Sequence, residues 1–377
     1  MTEYRRLDDI CNINMGQSPA SDSYNEDGDG LPFFQGNADF GELYPEVRIW
    51  CNAPTKIVEP ETLLISVRAP IGALNFSRER SCIGRGLAGI TPMPGIELKY
   101  VYYCLKGKNA ELNAKGTGST FKAIAKAALG ETSVRMISLV EQQEIIQTID
   151  KLSEVIRQRK QQLADLDTLI KARFVEMFGS IHDSDKFPYI PVKKLTNVVS
   201  GGTPSRDVSE YWDNGDIPWV KTTELQNSVI ESVDEYITEK GKNNSAAKIV
   251  PVGTVLVAMY GQGKTRGMTG YLGIEATTNQ ACACILPSNH INMMYLWKYF
   301  ELSYDKLRSL AQGGGQPNLN VNIIKSFHVL VPPREMQDSF VLFVHQVNKS
   351  KAVVQAAHVI ARNLHSRRQQ KCRILNF

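Results

Sequence analysis

No apolar run in the 377 residues approaches the roughly eighteen needed to cross a bilayer, and the first thirty residues, polar and acidic by Asp27 and Asp29, hold no secretory core. A cytoplasmic protein that does not enter the membrane is expected. The seven cysteines (Cys11, Cys51, Cys82, Cys104, Cys282, Cys284 and Cys372) are odd in number and include no CxxC pair, which speaks against a disulfide framework and a zinc site. Reduced structural thiols are expected, with Cys282 and Cys284 alternating on an apolar strand. The six histidines form no HExxH; His358 and His365, seven apart, read as seam or surface positions on a helix, so no metal is expected. Clustered acids of the kind that hold Mg²⁺ are missing too, since Asp27, Asp29, Asp213 and Asp216 sit in turn-like loops where aspartate caps turns. No glycine-rich methyl-donor loop follows a first strand. A charge surplus is likewise lacking: residues 1–140 carry 15 Lys+Arg against 16 Asp+Glu, and residues 181–333 carry 14 against 14. The excess sits in residues 334–377, with 8 against 2, so a phosphate-binding surface on the globular parts must come from charge distribution.

What the chain does have is length for more than one core and a repeat of half its length. Gly16-Gln17-Ser18-Pro19 is answered by Gly201-Gly202-Thr203-Pro204, each followed by a polar loop ending in Tyr24 or Tyr211-Trp212. Leu31-Pro32-Phe33 matches Ile217-Pro218-Trp219, and Thr62–Arg68 matches Thr254–Tyr260, both apolar runs of strand length entering a glycine loop. Gly116-Thr117-Gly118-Ser119 matches Gly313–Gln316. The offset begins near 185 residues and drifts with small insertions.

Each copy runs into a long helical stretch. From Glu141 to Phe178 there is no proline or glycine, and Ile149, Leu152, Ile156, Leu163, Leu166, Ile170 and Met177 fall at steps of three and four, a heptad seam with Arg159 and Arg173 at polar positions. The C-terminal stretch starts after Pro332-Pro333, and its interface is placed at Val353, Ala357, Ile360 and Leu364. Helices of this length, roughly 55 Å at about 1.5 Å per residue, read as spacers.

Ala258–Thr265 satisfies a relaxed phosphate-loop pattern after a strand, which raises an ATP-using enzyme as one alternative. A phosphate loop needs a helix starting at its Lys-Thr, whereas Arg266-Gly267-Met268-Thr269-Gly270 opposes one and the first copy offers no lysine there. A glycine hairpin between strands is the favoured reading. The remaining glycine- and amide-rich loops suit base edges and close backbone approach. The candidate DNA contacts in the first copy are Gln17, Ser18, Gln35, Asn37, Arg68, Thr117 and Ser119. In the second they are Thr203, Ser205, Lys221 and Thr222, then Tyr260, Gln262, Lys264 and Arg266, then Asn279, Gln280, Gln316 and Asn318. A protein-binding scaffold is the other alternative.

The pattern resembles the specificity subunit of Type I restriction and modification systems over nearly the whole length. The pieces that carry the likeness are Gly201-Gly202-Thr203-Pro204 with Asp216-Ile217-Pro218-Trp219, Met259-Tyr260-Gly261, Thr278-Asn279-Gln280-Ala281 and Gly315-Gln316-Pro317-Asn318-Leu319. Gly16–Pro19 with Pro32–Gly36 is similar in kind, and Leu139–Ile146 and Pro332–Gln337 look like the entries into the family's helices. Arg68-Ala69-Pro70 departs from the pattern by lacking the tyrosine-glycine turn. The resemblance implies an α+β fold: two similar mixed, strand-rich α/β target recognition domains over 1–140 and 181–333, with antiparallel coiled-coil helices over 141–180 and 334–377. It also implies a non-catalytic, cofactor-free chain that reads a bipartite target in double-stranded DNA. Two methyltransferase subunits would dock on the helices and carry S-adenosylmethionine, and restriction/motor subunits would supply ATP and Mg²⁺ chemistry.

Overall fold

The computed structural model describes residues 3–118, 122–261, 263–313 and 317–373, and in it both duplicated apolar runs are central strands buried on two faces. In Leu63–Ser66, Leu63 and Ile65 join a core with Ile13, Ile90, Val101 and Leu105, while Leu64 between them joins Phe34, Val58, Ile83 and Leu87. In Val255–Ala258, Val255 and Val257 pack with Tyr295 and Phe300, and Leu256 and Ala258 with Val220, Leu272, Cys282 and Cys284. Side chains alternate across a strand, so one short run supplies two cores when neighbouring positions in it are apolar.

Residues 1–161 with 355–377 form one compact unit, and 162–354 form another. In the first, Cys11–Met15, Leu87–Pro92, Leu63–Ser66 and Leu74–Phe76 lie in that order in an antiparallel sheet. A second sheet runs Tyr24–Asn25, Trp50–Cys51, Leu31–Phe34, Ser81–Ile83 and Ile57–Val58, with Phe33 paired in parallel to Cys82. In the other unit the order is Val198–Ser200, Cys282–Ile285, Val255–Ala258, Thr269–Leu272 and Ser228–Ile230, beside a three-stranded sheet of Glu235–Ile237, Ile217–Val220 and Thr277–Thr278. Trp219 there pairs in parallel with Thr277. Each unit also joins its first strand to the strand before its long helix, Tyr4–Arg6 with Ser133–Arg135 and Tyr189–Pro191 with His328–Leu330. The two units thus share one scheme.

The long helices run Leu139–Phe178 and Arg334–Arg373, 40 residues each. The first begins in a capping box: the Ser138 hydroxyl accepts from the Glu141 backbone N–H at 3.3 Å, and Glu141 Oε2 accepts from the Ser138 backbone N–H at 3.0 Å. The second begins directly after Pro332-Pro333, where a proline lacking its N–H costs the first turn nothing. Behind each entry stands a buried glutamine. Gln142 accepts from Glu97 N at 2.9 Å and donates to Ile137 O at 3.1 Å; Gln337 accepts from Asn292 N and donates to Pro332 O, both at 2.8 Å. Tyr100 donates to Arg135 O at 2.7 Å and Tyr295 to Leu330 O at 2.9 Å, a second duplicated bond at the same junctions.

Within the 162–354 unit the helices lie antiparallel, with Lys351 on Asp167 at 2.5 Å and the Phe340 ring 5.5 Å from Phe174. The seam of the first helix is where periodicity places it: Ile149 and Ile170 are buried, and Leu152, Ile156, Leu163, Leu166 and Met177 half-buried, joined by buried Phe174 and Phe178. The seam of the second helix is not the expected one. Val353, Ile360 and Leu364 are 72%, 60% and 46% exposed, and Ala357 is half-buried. The inward face is Phe340, Val344, Val347, Lys351, Val354, His358, Ala361 and His365. Three of these positions are polar, so the apolar stripe that sequence periodicity detects lies on a different face. His358 and His365 are accordingly seam residues; Ser153 meets His365 at 3.1 Å, and burial with nearby Lys106 holds its ring below the usual pKa range. Among the described residues no helix is long and apolar enough to cross a membrane.

Candidate nucleic-acid interface

The loops that carry most of the candidate residues leave the ends of the central strands and are tied to one another by backbone hydrogen bonds. In the 162–354 unit Met259 N donates to Ala281 O at 2.8 Å and Leu319 N to Met259 O at 3.0 Å, which gathers Tyr260–Gly267, Asn279–Gln280 and Gln312–Asn318. The glycine turn joins them: Gly202 N donates to Thr278 O at 2.8 Å, and a Cβ at Gly201 would stand 2.1 Å from Thr278 Oγ1, so only glycine fits. Thr203 donates to the Gln280 side-chain oxygen, so two candidates from distant sequence meet directly. Asn279 N donates to Val220 O at 3.0 Å while its side-chain oxygen is enclosed without a partner. Tyr260 and Lys264 are exposed; the Arg266 guanidinium instead donates to Pro317 O and ties loop to loop. Lys221 and Thr222 follow Val220, beside and in the Thr222–Glu224 turn, where Lys221 Nζ lies 2.8 Å from Glu235. That contact raises the Lys221 pKa and depresses that of Glu235.

The first unit repeats the arrangement. A Cβ at Gly16 would lie 2.2 Å from Gly84 O, Gln17 N donates to Ile83 O at 3.0 Å, and Ser18 Oγ accepts from Arg85 N at 3.3 Å. Gly84 N donates to Phe34 O at 2.8 Å and Gly86 N to Gln35 O at 3.1 Å, so Gln17, Ser18 and Gln35 converge on Gly84–Gly86. Asn37 begins the short turn behind Gln35. Arg68 and Thr117 both bridge to Ala123, and Ile124 N to Val67 O at 2.9 Å joins this pair to the rest. Ser119, Gln262 and Gln316 lie outside the described residues.

Sequence reasoning missed two arginines. Arg206 lies 3.6 Å over the Trp212 ring and 4.9 Å from that of Trp219, with Glu235 at 2.6 Å, so a half-exposed cation is held flat beside Ser205, whose carbonyl accepts from Trp212 at 2.9 Å. Arg85, exposed at the Gly84–Gly86 turn, stands 195 residues before Gln280, and Ser18 and Thr203 touch the two in turn. An alignment of the chain with itself at that offset would have found it.

The phosphate-loop pattern is not built as one. Val257 pairs antiparallel with Thr269, so Ala258–Thr265 lies in a hairpin, with Gly261, Gly263 and Gly267 at φ of +136°, +58° and +87°. No helix starts at Lys264-Thr265. Among the described residues no group of His, Cys, Asp or Glu could hold a metal ion.

The profile of the Type I restriction modification DNA specificity domain matches residues 2–166 and again 186–356. The chain is 43% identical over 155 residues to a sequence described as the MjaX specificity subunit of a type I restriction enzyme from Methanocaldococcus jannaschii, covering 40% of this chain and 36% of that one. It is 22% identical over 325 residues to the type I restriction enzyme MjaIX specificity subunit of the same organism, 79% of this chain and 74% of that one. The crystal structure of a Type-I restriction-modification S subunit from M. genitalium superposes with a TM-score of 0.62 at 14% identity, covering 99% of this chain and 96% of that one.

Proposed function

The chain belongs to the Type I restriction modification DNA specificity family, and on that premise we propose that it is the DNA-reading subunit of such a system, each unit reading one half of a bipartite target. The observation that carries this is the duplicated loop set. Each unit presents a glycine turn locked against the end of a parallel strand pair, an amide or arginine at that turn, and a second loop leaving the central strand. Such loops offer backbone and side-chain donors for base edges and phosphates while the sheets behind them are rigid. The chain itself carries no reaction. Methyltransferase subunits, two by the internal repeat, dock on the helices and hold S-adenosylmethionine, and restriction/motor subunits supply ATP and Mg²⁺ chemistry in the same cytoplasmic complex.

The test is co-expression with the methyltransferase subunits in a host free of other adenine methylation, followed by methylation sequencing of the genome. A single motif of two specific halves around a fixed gap is expected. Methylation without a bipartite motif, or none from a complex that assembles, would refute the reading.

A further inference from the structure

The Tyr260–Gly267 loop holds Gly261, Gly263 and Gly267, each at positive φ. Glycine-rich segments lose more freedom than others on ordering, so a loop of this kind keeps one conformation only when something outside it holds the backbone. Besides the Arg266 bond to Pro317 O, the loop is held by a pair of residues one turn apart on the short helix Tyr304–Ser309. Arg308 Nη1 donates to Arg266 O at 2.6 Å, its Nη2 donates to Gly263 O at 2.9 Å, and Tyr304 Oη donates to Lys264 O at 2.7 Å. Arg308 also donates to the Tyr304 hydroxyl at 3.1 Å, so the two act together. In the other unit Asn109 and Asn113, again one turn apart on the short helix Asn109–Lys115, do the equivalent: Asn109 Nδ2 donates to Gly72 O at 3.0 Å and Asn113 Nδ2 to Ile71 O at 2.7 Å. The pairs are separated by the same 195 residues as the buried tyrosines and glutamines of the helix junctions. Position is kept and chemistry is not: a charged two-pronged donor with a phenol in one unit, two amides in the other.

We propose that Tyr304 and Arg308 are positioning residues for the second half-site, holding Tyr260 and Lys264 in the geometry that discriminates bases, and that Asn109 and Asn113 do the same for Arg68 in the first. The proposal rests on the DNA-reading assignment. It separates discrimination from affinity: the loop side chains stay when the clamp is removed, but base contacts tolerate only about 0.5 Å of displacement, whereas phosphate contacts elsewhere are unaffected. Arg308→Ala should therefore blur one half of the motif, raising methylation at sites with a single mismatch in that half roughly tenfold, while the other half and the gap stay sharp. Arg308→Lys, which restores one donor, should recover part of the discrimination. Asn109→Ala with Asn113→Ala should blur the opposite half.

The experiment is the methylome of the complex assembled from the full chain and its methyltransferase subunits, with the melting temperature of each variant measured beside it. If Arg308→Ala does not fold, Tyr304→Phe, which removes one hydroxyl, decides the matter by the same readout. Variants that fold yet leave both halves sharp overturn the proposal, as does equal blurring of both halves, which is what general loosening gives. A wild-type complex that yields no bipartite motif defeats the DNA-reading assignment itself, an outcome distinguishable because it needs no variant.

Discussion

Replacing Gln142 by leucine tests the junction between the first sheet and its long helix. The substitution nearly keeps volume but removes an acceptor for Glu97 N and donors to Ile137 O at 3.1 Å and Gly95 O at 3.3 Å, around a side chain that is fully buried. Each enclosed backbone group left without a partner costs about 1–3 kcal/mol. Gly95 is exposed and can turn to water, so two groups count, for a loss of about 2–6 kcal/mol. For a folding unit of this size that lowers the melting temperature by roughly 4–24 °C. Gln337→Leu should cost the same in the other unit, where it strands Asn292 N and Pro332 O. Urea titration with hydrogen exchange read peptide by peptide reports each unit separately. Exposed Gln143, whose side chain donates to the Glu97 carboxylate at 3.0 Å, is the control, and its alanine variant should lose under about 0.5 kcal/mol. If Gln142→Leu costs no more than this control, the bonds at the helix entry do not hold the junction.

Val344→Asp buries a charge in the seam and should cost several kcal/mol in urea titration, whereas Val353→Asp, at a 72% exposed position, should leave unfolding unchanged. A maleimide footprint of the native chain should leave Cys11 and Cys284 unlabelled, since burial pushes their thiols up to about 12 and about 11; rapid labelling of either would contradict the packing. The Glu235 carboxyl, hydrogen-bonded to Lys221 and Arg206, titrates below its ordinary 4.5, so it adds stability above that pH and loses it as pH falls further. Tryptophan fluorescence from Trp212 and Trp219 should show an acid transition that Glu235→Gln abolishes. Four residues inserted near Ala164 should lengthen the half-site gap by about 6 Å, close to two base pairs, with both half-sites unchanged in the methylome.

The repeat and the first seam were legible because each rests on a period, and periods survive loop variation; the central strands were legible as apolar runs of strand length. The second seam was misread for a physical reason: Lys351, His358 and His365 occupy its inward face, while Val353, Ile360 and Leu364 form a cleaner apolar stripe outside it. Register would have corrected this, because Ile149 and Leu152 lie 195 residues before Val344 and Val347. The matched glycine runs were two residues out, since the structure equates the Thr117–Ala123 bridge with that of Gln312 and Asn318. The Arg206 stack and the Tyr304–Arg308 clamp were not legible, since each depends on a fold bringing together side chains that share no local pattern. The hairpin at Ala258–Thr265 was read correctly from its glycines, which forbid the helix a phosphate site needs.

The two units differ in length only between the glycine turn and the second strand of the parallel pair. From Gly16 and Gly201, 185 apart, the offset grows to 195 by Ile83 and Thr278 and then stays there through the junction bonds and along the helices. Seven of the ten extra residues of the second copy fall before the central strand and three in the hairpin loop that leaves it, and the frame from the parallel strand to the helix is common to both. The chain thus carries its own cassette boundaries. Moving 201–278 into the place of 16–83 should meet the same strand partners on both sides, and the resulting molecule would carry the second unit's glycine turn and hairpin on the first unit's frame, so that the first half of the target changes while the second is kept.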